Sequence, residues 1–143
     1  MDQDARRRLE DLLDREIEVA RSLAATLADE RTALTGTAPK AVEEKAAEKI
    51  QILAAIEKLE AERLALCPAP ESAGLAATVA ERWRALMELM AGCRTANEVN
   101  GQIIHVRMHQ IHQLIDIVRG GPSITYGPQG KTFAKALRAL ARA

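Results

Sequence analysis

The chain has 143 residues, of which 48% are hydrophobic and 28% charged, with a formal net charge of zero. That is enough for one domain with a true core, but the core must be aliphatic, because Trp83, Tyr126 and Phe133 are the only aromatic residues. The charge balance argues against a nucleic-acid partner, and the sequence holds neither an apolar run long enough to insert in a membrane nor, after Met1, one that reads as a signal peptide.

Abundant Ala, Leu, Glu, Arg and Lys at helical spacing predicts an all-α fold. The expected form is an elongated antiparallel three-helix bundle or coiled coil with one long third helix and a flexible amphipathic C-terminal tail. Residues 1–119 would form the bundle, with helices over about 4–33, 39–66 and 75–119, and residues 120–143 the tail.

In the first helix, Leu9, Leu13, Ala20, Leu23, Leu27 and Leu34 share a four-three register, with Glu16 and Glu30 in the positions between. Those glutamates either look along the seam toward basic partners such as Lys49 or Arg63, or sit at exposed ends of the stripe. Thr35-Gly36-Thr37-Ala38-Pro39 ends the pattern, with Thr37 or Ala38 at the cap and Pro39 suited to a first helical turn.

The second helix carries Val42, Ala46, Lys49, Leu53, Ile56 and Leu59 or Glu60 on its inward stripe. Two prolines and a glycine between Cys67 and Gly74 separate it from the third. Cys67 and Cys93 form no close pair in sequence, which fits reduced thiols in a cytoplasmic protein.

The third helix has the longest seam, from Val79 through Trp83, Leu86, Cys93, Asn97, Asn100 and Ile104 to Val118, and its register passes Gly92 and Gly101 without a slip. Asn97, Asn100 and Gly101 weaken a helix locally, glycine by about 1 kcal/mol relative to alanine. Asparagines in a seam fix register by bonding across it, and glycine admits a neighbouring backbone; the alternative is an exposed, locally weak turn. With two shorter neighbours, the end of this helix near Ile111 to Val118 either protrudes or is covered by the tail, a second copy or a client.

Residues 120–143 carry four basic side chains and no acidic one, whereas residues 1–66 carry 15 acidic and 11 basic. Phe133, Leu137 and Leu140 line one side of the tail's last segment, which at about 12 residues is marginal as an isolated helix and must dock to become ordered.

No catalytic motif is evident. His105, His109, His112 and Asp116 form a stripe on one helix face, but no fourth ligand is near in sequence, so a flanking polar face is expected and no metal. Gly127-Pro128-Gln129-Gly130-Lys131-Thr132 ends like a phosphate-binding loop, yet Thr125 stands where the first glycine belongs and no strand precedes it. No cofactor is expected.

Trp83, Leu86, Cys93, Asn97, Asn100-Gly101 and Ile104, followed by Tyr126-Gly127 and Gly130, resemble the FlgN family of flagellar export chaperones. The resemblance implies a cytoplasmic, non-enzymatic chaperone. It would bind the hook–filament junction proteins FlgK and FlgL, prevent their premature aggregation, and bring them to the type III export apparatus. It also implies client binding through the tail, hence Phe133, Leu137 and Leu140, and docking on the export gate protein FlhA through Tyr126. The alternative from the residues alone is a structural coiled-coil module that forms a homodimer through its third helix and its tail.

Overall fold

A computed structural model of the chain describes residues 1–70, 74 and 76–120. Three helices make up the fold: α1 (Gln3–Thr35), α2 (Pro39–Leu66) and α3 (Ala77–Val118). Local chemistry marks the starts of the first two helices. The Asp2 carboxylate caps α1 by accepting from the Ala5 amide at 2.7 Å, Ala38 stands at the cap of α2 with Pro39 in its first turn, and Ala76 precedes α3. After α3, Gly120 turns the backbone at φ 80°, a conformation that disfavours side chains with a Cβ.

α1 is the spine, its backbone lying close along both α2 and α3, while α2 and α3 meet each other mainly through side chains. α2 runs antiparallel to α1, since Glu30 meets Lys49 and Glu16 meets Arg63. α3 returns parallel to α1: Glu10 meets Thr78, Leu27 meets Asn100 and Gly36 meets Arg107. The order is up, down, up, as expected of an antiparallel three-helix bundle.

The core follows the α1 seam in two apolar clusters. Leu9, Leu13, Ile17 and Ala20 pack with Cys67, Val79 and Leu86; farther along, Leu23 and Leu27 pack with Cys93. All six apolar seam residues expected on the first helix are buried. On α2 the choice between Leu59 and Glu60 resolves to Leu59, which is buried, whereas Glu60 is exposed. α3 is one continuous helix of 42 residues, about 63 Å at 1.5 Å per residue. Among the described residues no helix is long and apolar enough to cross a membrane.

Candidate functional site

The bundle interior contains two ionic layers. In the first, Arg63 of α2 donates from Nε to Glu16 Oε2 at 2.9 Å, and its guanidinium lies 4.7 Å from the centre of the Trp83 ring on α3. The arrangement ties all three helices together, because the cation is held by charge on one side and by the electron-rich ring face on the other. Burial pushes the Glu16 carboxyl above its ordinary range, and Arg63 opposes that shift.

In the second layer, Lys49 is fully buried and its ammonium lies 3.1 Å from Glu30 Oε2 and donates to Asn97 Oδ1 at 3.1 Å. Asn100 Nδ2 donates to Glu30 Oε1 at 2.8 Å and to the Leu27 carbonyl at 2.9 Å, while its Oδ1 accepts from Arg31 at 3.4 Å. Charges removed from water at this depth require this density of partners. The two glutamates thus face Arg63 and Lys49, and are not at exposed ends of a stripe.

The spacing of the layers is informative. Glu16 and Glu30 lie two heptads apart on α1, and Lys49 and Arg63 lie two heptads apart on α2, so one antiparallel register pairs both. A slip of one heptad would set Glu16 against Ile56 and Glu30 against Val42, stranding two carboxylates among apolar side chains. The layers therefore select register. Their bonds hold the three helices to one another.

The α3 residues singled out in the sequence divide in the same way. Leu86, Cys93, Asn100 and Ile104 are buried against α1, Trp83 is half-buried under Arg63, and Asn97 and Gly101 are intermediate. Burial raises the Cys93 thiol, whose sulfur lies 3.6 Å from the Ala20 carbonyl, so it remains a protonated donor. Cys67 and Cys93 are both free and buried. His105 and His109 are exposed and His112 is half-buried; among the described residues no group of three or more His, Cys, Asp or Glu side chains is placed to hold a metal ion. Tyr126, Phe133, Leu137 and Leu140 lie outside the described residues.

The exposed apolar surface is concentrated at one end. α1 stops at Thr35, and the last bond between α1's end and α3 runs from Arg107 Nη2 to the Gly36 carbonyl at 2.8 Å. Past Arg107, α3 continues for about three more turns with Ile111, Leu114, Ile115, Ile117 and Val118 all exposed. Apolar side chains gathered in this way are a candidate interaction surface, the most extensive stretch of exposed large apolar side chains among the described residues. A cleft of about 380 Å³ between α2 and α3 is lined by Ile56, Trp83, Met87 and Met90 together with Glu16 and Arg63.

Sequence reasoning missed the Arg63–Trp83 stack and the Arg107 bond to Gly36. Nothing local signals either, because both depend on how far α3 is offset along α1. The profile of one protein family, described as FlgN protein, matches residues 1–133. Comparison with curated proteins and with solved structures returns no match.

Proposed function

The chain belongs to the FlgN family of flagellar export chaperones, and from that premise we propose that it works in the cytoplasm on the hook–filament junction proteins FlgK and FlgL. It holds their terminal helices before secretion and hands them to the export apparatus, with no catalysis of its own. The observation that carries this reading is the family match across nearly the whole chain, including the long third helix. The fold is consistent with it, because the buried polar groups are spent on register and the exposed apolar surface lies at the end from which the tail departs.

In this reading Phe133, Leu137 and Leu140 of the tail contact client, and Tyr126 contacts the gate protein FlhA. A client helix that orders on binding meets a segment that also orders on binding. Such coupled ordering consumes about 2–5 kcal/mol of the gross interaction, which leaves a complex able to release its cargo.

The test is co-purification of the full chain with FlgK and FlgL, in parallel with a variant carrying polar residues at Phe133, Leu137 and Leu140. The parent is expected to retain both clients and the variant to lose them with an unchanged melting temperature. Tyr126→Ala is expected to bind client normally and to reduce secretion of the junction proteins. A parent that retains neither client contradicts the proposal.

A further inference from the structure

We propose that His105 and His109 form a two-imidazole clip on the exposed face of α3, which takes one exchangeable divalent transition-metal ion of the copper, nickel and zinc group. Neither histidine enters the chaperone reading, so the site stands or falls apart from it.

The first argument is geometric. The two residues are four apart on one unbroken helix, Ala77–Val118, so they lie about 6 Å apart along its axis and only about 40° apart around it. Side chains so placed start about 5–6 Å apart at Cβ and lean the same way along the helix. Two imidazoles at this spacing can share an ion, each nitrogen about 2.0–2.1 Å from the metal. Bridging them would link successive turns of α3 just where α1 has ended, beside the Arg107 bond to the Gly36 carbonyl.

The second argument is the surroundings. Both histidines are exposed, and among the described residues no hydrogen bond or ion pair ties down either ring; His112 is half-buried and has a contact of its own. Arg107 stands midway between the pair in sequence, hence about 200° round the helix from each, and donates to the Gly36 carbonyl at 2.8 Å. Its charge is therefore held against α1, away from the histidine face. The thiols that would compete for such an ion, Cys67 and Cys93, are buried.

The ligand count sets the kind of site. Among the described residues no group of three or more His, Cys, Asp or Glu side chains is placed to share an ion, which argues against a closed structural centre and leaves an open one. With two protein ligands the remaining positions fall to water, and the ion exchanges. Imidazole suits copper, nickel and zinc, and the affinity of a nitrogen site for divalent ions peaks at copper.

The experiment uses the untagged full chain, stripped with EDTA and dialysed, and titrated calorimetrically with CuCl2, NiCl2 and ZnCl2 in separate runs. One ion per chain is expected, with copper bound more tightly than nickel or zinc. His105→Gln and His109→Gln should each weaken copper binding at least tenfold, since each removes half of the chelate, with melting temperatures in EDTA unchanged. His112→Gln should keep the parent affinity within twofold. A further variant retains both imidazoles but breaks their spacing: His109→Gln combined with Gln110→His sets them five residues apart on diverging faces, and it should bind as weakly as the single variants. A parent that binds no ion, single variants that bind as tightly as the parent, or a five-apart pair that matches it overturns the inference. So does an equal loss in His112→Gln, which would replace the clip with a different ligand set.

Discussion

Residues 79–104 and residues 105–118 of α3 share one periodicity but have opposite surroundings. In the first stretch the seam is buried and interrupted by Asn97 and Asn100, whose bonds reach Lys49, Glu30 and the α1 backbone. In the second it is uniformly aliphatic after Arg107 and exposed. A stripe at helical spacing states that a face requires a partner, not that the partner belongs to the same chain. Polar residues make the difference between the two: where α1 and α2 cover the seam, buried bonds fix its register, and past Arg107 the seam carries apolar groups alone.

The sharpest way to break this contrast is to attack the buried layer. Lys49→Ala leaves Glu30 buried without its cation, and the expected loss is about 3–5 kcal/mol in urea unfolding. Replacing Glu30 and Lys49 together with methionine should recover most of that loss, because no charge is then stranded. A loss under about 1 kcal/mol for Lys49→Ala would mean the layer is wet, and that register is set by the apolar seam alone.

Paired alanine substitutions come next. Leu13→Ala on α1 removes a fully buried side chain and should destabilise by about 2–5 kcal/mol, whereas Leu114→Ala should change stability by no more than about 0.5 kcal/mol. Similar losses at the two positions would show that the end of α3 is covered in the free protein. Gly92→Ala probes the paired stretch from the other direction. A Cβ there meets nothing within 4 Å, and the exchange should stabilise by about 0.4–1 kcal/mol in thermal unfolding.

The smallest effect is electrostatic. Burial raises the Glu16 carboxyl, so the native state holds that proton more tightly than the unfolded chain does. Its contribution to stability is therefore complete below the ordinary glutamate range and is lost as pH rises through the folded titration. Glu16→Gln should remove that slope from melting curves taken between about pH 4 and 7. An unchanged slope would place the titration in another group.

Much of this was legible in the residues, and the illegible part has a common cause. The breaks at Gly36, Pro39 and Pro68 are local chemistry, so three helices could be read directly; α3 begins at Ala77, slightly later than the expected position near 75. The orientation of Glu16 and Glu30 stayed open in the sequence because glutamate is compatible with an exposed stripe end and with a buried pair. Only the two-heptad spacing shared with Lys49 and Arg63 separates the two, and that spacing has meaning once the antiparallel register is known. Asn97 and Asn100 announced a register function by their helix-weakening cost, but their partners depend on a parallel offset of about 70 residues between α1 and α3 that no local pattern encodes. The contacts proposed for Tyr126, Phe133, Leu137 and Leu140 came from family resemblance, since a 12-residue amphipathic stripe states only that something must cover it.

Hydrogen exchange across the full chain, with and without bound FlgK, tests the division of labour most directly. Client should add protection to amides from about residue 105 onward, while the already slow amides of α1 and of α3 up to Ile104 keep their rates. New protection spread along the outer faces of α1 and α2, with none beyond residue 105, would contradict the account and move the client site onto the body of the bundle.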